Sequence, residues 1–150
     1  MPTEAEWAWA ARKQSDGSMR KFGWGNHFPP TRKTTNIADR SAATIVARTL
    51  IKYNDGQAVT APVGSYHANS KGLHDMGGNV SEWLNDYYSI ALGLSDSAAV
   101  DPVGPDRGEY KVIRGASWRH ASITELRLSF RDYGNKVRDD LGFRLAMYAE

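Results

Sequence analysis

Between Gly72 and Trp83 the chain reads GLHDMGGNVSEW. Two carboxylates, Asp75 and Glu82, flank a Gly77-Gly78-Asn79 turn that closes on a tryptophan. Glycine tolerates the φ > 0 conformations of tight turns. A tight turn can aim side-chain and main-chain oxygens at one point, as a hard cation requires. Helix or strand periodicity does not account for the string, so it reads as a built loop. The plain alternative is a turn before a core tryptophan, with Glu82 exposed.

Around this loop the chain has the make-up of a soluble globular domain. Its 150 residues suit one domain with a real core. Hydrophobic residues form 41% and charged residues 24%, within the ordinary globular range. Lysine and arginine (19) nearly balance aspartate and glutamate (17) and are mixed along the chain. No basic run marks a nucleic-acid surface, and no apolar run reaches the roughly 18 residues of a membrane span. Cysteine is absent, which excludes disulfides, iron–sulfur ligation, zinc ribbons and thiol catalysis. Met1-Pro2-Thr3-Glu4 leads directly into a helix rather than a signal peptide. The expectation is a cytoplasmic protein or a domain cut from a longer chain.

The predicted elements are α+β: a helix, a long irregular middle, and strands at the end. Thr3 and Glu6 have the capping-box spacing, the segment through Lys13 has high helix propensity, and Gly17 is the expected stop. Residues 22–40 and 89–109 read as loops. Ser41–Lys52 is a candidate second helix, weakened by its β-branched residues. Alternation at Leu126, Leu128 and Phe130, and at Leu141, Phe143, Leu145 and Met147, predicts strands, with Lys111–Arg114 a third. The sheet is expected to be small and antiparallel.

Several blocks recur in a definite order: Pro2-Thr3-Glu4-Ala5-Glu6-Trp7, Trp24-Gly25-Asn26, Ala61-Pro62-Val63-Gly64-Ser65 and Asn69-Ser70-Lys71-Gly72-Leu73. Asp75 to Trp83, Asp101-Pro102-Val103-Gly104-Pro105, Arg114-Gly115-Ala116-Ser117-Trp118 and Gly142-Phe143-Arg144 follow. Together they resemble the formylglycine-generating-enzyme, or sulfatase-modifying-factor, family from Pro2 to about Met147. The resemblance implies one loop-rich domain with a C-type-lectin-like core over residues 1–150, lacking the family's usual N-terminal part, either naturally short or excised from a longer parent chain whose other domains would be its partners.

The resemblance also implies two structural calcium sites. One uses the side chains of Asn36 and Asp55 with the carbonyls of Ile37 and Gln57. The other uses Asp75 and Glu82 with the carbonyls of Gly78 and Val80. Both sets are oxygen-only, which suits Ca²⁺ rather than a soft metal. Asn36 and Asp55 can equally be ordinary turn residues.

The family's enzymes oxidise a substrate cysteine with copper and oxygen, using two cysteines five residues apart after a Gly-Gly-Ser-aromatic turn. Here those positions fall on His120 and Glu125, after Ser117-Trp118. Cu(I) favours sulfur ligands, so neither copper nor formylglycine generation is expected. The candidate pocket is Ser117, Trp118, His120, Glu125 and Arg131. No G-x-S-x-G elbow supports a hydrolase. The leading expectation is a calcium-stabilised, non-catalytic domain that binds a protein or small ligand through Arg119, His120, Thr124, Glu125, Arg127, Arg131, Tyr133 and Asn135. Diversity-generating variable proteins, which resemble the family, place their variable residues in this segment. The alternative is a metal-dependent oxidoreductase, related to formylglycine-generating or non-heme iron enzymes, centred on His120 and Glu125. The bland reading of these two is a loop residue at a pocket mouth and the start of a strand.

Overall fold

In the computed structural model, which describes residues 1–90 and 100–148, helix α1 spans Glu4–Arg12. The capping box is complete: Thr3 Oγ1 accepts from Glu6 N at 3.2 Å, and Glu6 Oε2 accepts from Thr3 N at 2.7 Å. The helix ends at Arg12, before the expected stop. Gly17, with φ 85°, sits in the following turn, where Gln14 N reaches Ser18 O at 2.9 Å.

Four strands form one sheet in the order β3-β2-β1-β4: β1 Ser81–Tyr87, β2 Lys111–Arg114, β3 Asp132–Gly134 and β4 Leu141–Phe143. β1 pairs antiparallel with β2, and β2 with β3, but β4 lies parallel to β1. The sheet is therefore mixed, because residues 135–140 carry the chain from one edge to the other.

Three expectations need correction. Ser41–Lys52 is not a helix: only a 3₁₀ turn at Arg40–Ala42 forms. Thr44, Ile45, Val46, Thr49 and Ile51 lose side-chain freedom in a helix, and Ile45 and Ile51 stay exposed, so no buried face repays that cost. Residues 126–130 make turns rather than a strand. Leu126 and Leu128 are buried, but in two different clusters, because Arg127 N bonds Thr124 O and Leu128 N bonds Lys21 O. The last strand stops at Phe143, and Phe143, Leu145 and Met147 are exposed. Of the loop expected at 89–109, residues 100–109 hold no helix or strand; positions 91–99 lie outside the described residues.

Strand β1 begins inside the string read as loop. Its inward positions are Glu82, Leu84 and Asp86, all buried. Two carboxylates on the core face hide the apolar alternation that marks a strand in sequence.

Those carboxylates work with helix α1. Asp86 Oδ2 accepts from Glu4 N at 2.8 Å, placing negative charge at the helix N-terminus. Trp7 is 1% exposed and donates from Nε1 to Glu82 Oε2 at 2.8 Å. Glu4 accepts from Arg114 Nη1 at 2.8 Å, and from Arg131 Nε at 2.6 Å and Nη2 at 2.8 Å. The ion pairs and the apolar cluster of Trp7, Ala11, Met76, Leu84, Val112 and Leu128 seat the helix on the sheet. Removing one partner of a buried pair strands the other charge, at a cost of about 3–5 kcal/mol. Glu4→Ala is expected to lower stability by that order in a denaturant titration. A loss below about 1 kcal/mol would show that the cluster does not hold the helix.

Candidate functional site

The two glycines of the Asp75–Glu82 segment serve close approach rather than left-handed geometry. Positive φ falls on Asp75 (61°) and Asn79 (70°) instead. A Cβ on Gly77 would lie 2.8 Å from Gly23 Cα, and one on Gly78 would meet Thr35 Oγ1 and stand 2.6 Å from the carbonyl oxygen of Asn36. The backbones of residues 23, 35–36 and 77–78 touch, so nothing larger than hydrogen fits between them.

That contact brings the first oxygen set into the core. Asn79 is its hub. Asn79 N donates to Asn36 O at 2.7 Å, and Asn79 Oδ1 accepts from Asn36 Nδ2 at 3.2 Å and Ala61 N at 2.8 Å. Asn36 Nδ2 also donates to Val59 O at 2.7 Å. Both amide protons are thus used and the amide is fixed in orientation. Its Oδ1 is buried with no hydrogen-bond partner among the described residues, which is costly unless another group satisfies it.

Asp55 lies beside the same loop. Its Oδ2 accepts from Ile37 N at 3.2 Å and its Oδ1 from Gln57 N at 2.7 Å. Burial, with the neighbouring Asp39 charge assisting, pushes its carboxyl up to about 6. Asp39 is itself fully buried and accepts from Asp55 N and Ser41 N. An unsatisfied amide oxygen and a carboxylate held against its preference for water are the donors a hard cation relieves. This set fits such an ion.

The second set fits less well. Asp75 Oδ2 accepts from Gly64 N at 3.0 Å. Glu82 is fully engaged: besides Trp7, it accepts from Arg144 Nε at 2.8 Å and Arg144 Nη2 at 2.5 Å. A cation at Gly78, Val80 and Glu82 would meet a carboxylate whose charge Arg144 already balances.

The predicted pocket divides. Ser117, His120 and Glu125 stay close together. Ser117 N donates to His120 Nδ1 at 3.0 Å, so Nδ1 is the acceptor and the neutral ring carries its proton on Nε2. Ser117 Oγ lies 3.3 Å from the same nitrogen but gives its proton to Asp140 Oδ2 at 2.7 Å. Ser117 is wholly buried, so it presents no nucleophile. Glu125 Oε2 accepts from Ser122 Oγ at 2.5 Å. Burial holds the His120 imidazole below its usual pKa, against the opposing charges of Glu125 and Asp140. Trp118 is buried too. Arg131, however, is committed to Glu4 and is not part of this group. Among the described residues, no three His, Cys, Asp or Glu side chains gather as a metal site.

Of the wider candidate surface, Arg119 pairs with Asp139, and Tyr133 stands against Tyr88 at 4.4 Å. Asp39, Asn79 and Asp140 were missed by sequence reasoning. Only the Gly-Gly-Asn triplet signalled one of them. The His120 loop is tied to the first oxygen set, since Ala38 N donates to His120 O at 2.9 Å and Trp118 N to Asn79 O at 2.9 Å.

Residues 1–149 match the sulfatase-modifying factor enzyme 1-like domain. The chain belongs to that family. It is 35% identical to the formylglycine-generating enzyme of Streptomyces coelicolor, with 100% of this chain and 47% of that enzyme aligned. It is 32% identical to the mouse inactive C-alpha-formylglycine-generating enzyme 2, over 99% of this chain and 43% of the relative. Among solved structures, Treponema denticola variable protein 1 superimposes with a TM-score of 0.72 at 31% identity, covering 95% of this chain and 45% of that one. The chain thus spans less than half the length of each of these relatives. The fold of the chain is α+β, with a small mixed sheet and long loops. Among the described residues, no helix is long and apolar enough to cross a membrane.

The closed contact at Gly78 gives a direct check. Gly78→Ala is expected to cost about 1–3 kcal/mol, the usual penalty of overpacking, measured by denaturant unfolding. Wild-type stability would show that the loops can part without loss.

Proposed function

We propose that this domain is a calcium-stabilised, non-catalytic member of its family that binds a small ligand or protein. One observation carries the non-catalytic part. The positions where the family resemblance puts a cysteine pair hold His120 and Glu125, and each is closed into local hydrogen bonds with Ser117 and Ser122. No thiolate can form a mixed disulfide with a substrate cysteine or supply the sulfur ligands Cu(I) prefers. That a relative in mouse is named inactive shows that the family includes such a member. No observation favours the metal-dependent oxidoreductase reading over this one.

The calcium part rests on the unsatisfied Asn36 Oδ1 and on Asp55. Asn36 and Asp55, with the carbonyls of Ile37 and Gln57, would hold the ion. Its role there would be to satisfy Asn36 and keep Asp55 ionised, closing the loops that meet at Asn79. Because Ala38 holds the His120 carbonyl, the ion would also stiffen the segment after Trp118 that carries the candidate binding surface.

Two measurements test this reading. Incubation of the protein with copper, oxygen and a Cys-containing sulfatase-type peptide is expected to leave the cysteine unchanged by mass spectrometry; formylglycine in the product would overturn the non-catalytic reading. Millimolar Ca²⁺ is expected to raise the melting temperature at pH 7, and Asp55→Asn to remove most of that rise. The sign with pH follows from linkage. The folded carboxyl titrates near 6, above the ordinary carboxylate value, so without metal its share of stability is present at low pH and is lost as pH rises from about 4 to 6. The ion needs the ionised form, so the calcium-induced rise must shrink as pH falls through 6. A rise of equal size at pH 5 and pH 7, or none at either, counts against the site.

A further inference from the structure

A cavity of about 380 Å³ lies beside the end of α1, at the small end of the range for ligand sites. Arg12, Lys21 and Arg127 line it together with Asn26, Phe28 and Ser129, and no carboxylate among the described residues does. None of the three cations belongs to an ion pair among the described residues. Arg12 comes from the last turn of α1, Lys21 from the segment after it, and Arg127 from the turns before β3. Their convergence is built by the backbone. Arg20 N donates to Arg12 O at 2.9 Å, and Leu128 N donates to Lys21 O at 2.8 Å. Leu128 points inward and is 1% exposed, so its neighbours Arg127 and Ser129 face out beside Lys21. Lys21 N is held by Asn26 Oδ1 at 2.9 Å.

Two further features distinguish this cavity from a solvated basic face. Arg12 Nε is shielded from solvent without a hydrogen-bond partner among the described residues, a donor whose desolvation none of them offsets. One wall is aromatic: Phe28, 37% exposed, stands 5.8 Å from the buried ring of Phe22, which is stacked on Trp24 at 5.0 Å. Three cations with amide and hydroxyl groups bind a tetrahedral dianion through charge-assisted hydrogen bonds. A flat apolar wall beside them adds a place for a ring.

We propose that this cavity is a binding site for a phosphate monoester carried on a flat, apolar body, with Arg12, Lys21 and Arg127 holding the phosphate and Phe28 the ring. The inference deepens the reading of the domain as a binding module by naming a ligand chemistry, and does not depend on calcium. Phenyl phosphate is the probe, titrated by calorimetry into the full chain beside inorganic phosphate and phenol. Phenyl phosphate is expected to bind more tightly than either control. Arg127→Gln and Lys21→Gln, at exposed positions, are each expected to weaken it about tenfold with unchanged melting curves. Phe28→Ala is expected to weaken phenyl phosphate while leaving inorganic phosphate alone. No detectable binding at millimolar phenyl phosphate, phenol binding as tightly, or equal affinity in the Lys21→Gln/Arg127→Gln double variant would each overturn the assignment. Such a failure, with the calcium-dependent melting shift intact and no formylglycine formed, would remove the ligand chemistry and leave the proposed function standing. Formylglycine formation alongside phosphate binding would do the reverse.

Discussion

Glu4 is the residue on which the arrangement of this chain turns. Its carboxylate binds arginines 110 and 127 positions away, Arg114 at the end of β2 and Arg131 just before β3. Its main-chain N–H reaches Asp86 on β1. One helical turn is thereby fastened to β1, β2 and the segment leading into β3. Desolvating these groups is costly, and a buried ion pair is not by itself a large source of stability. What it imposes is register: a helix shifted by one residue would bury Glu4 without its arginines. Trp7, one turn further on, adds the same demand through Glu82, and Glu82 in turn fixes Arg144 beyond β4.

With the helix fixed, the loops have little freedom left. The backbones around Gly23, Asn36 and Gly78 close on one another, and Asn79 stitches residues 36 and 61 to the same point. The price is a fully buried Asn36 oxygen with no donor among the described residues and an Asp55 carboxyl raised by burial. The segment from Ser117 to Glu125 hangs from this knot through two main-chain bonds. In that segment buried Ser117, Trp118 and Ala121 are interspersed with half-buried or exposed residues.

Part of this was legible in advance. The capping box of α1 is local chemistry between residues three apart, and it forms as read. Lys111–Arg114 is a strand as its composition says. Burial of Leu126 and Leu128 was also legible, but their conformation was not: alternate burial arises equally from a strand and from tight turns, and only the bond from Leu128 to Lys21 separates the two. β1 was hidden because its core-facing positions carry Glu82 and Asp86, whose partners lie far away in sequence. The glycines at 77 and 78 signalled a special backbone, yet close contact rather than a left-handed φ requires them.

The candidate site shows the same division. Sequence by itself determined the chemical inventory: no thiol, a His and a Glu at the decisive positions, and oxygen donors in the flanking loops. These follow from residue identity, which folding cannot change. Which donors remain unsatisfied was decided only by tertiary structure. Asn36 keeps a bare oxygen while Glu82 loses its availability to Arg144, and Arg131 leaves its predicted pocket for Glu4. The basic cavity belongs wholly to this second class, since Arg12, Lys21 and Arg127 share no local pattern. They meet because burying Leu128 turns its neighbours outward beside the end of the helix.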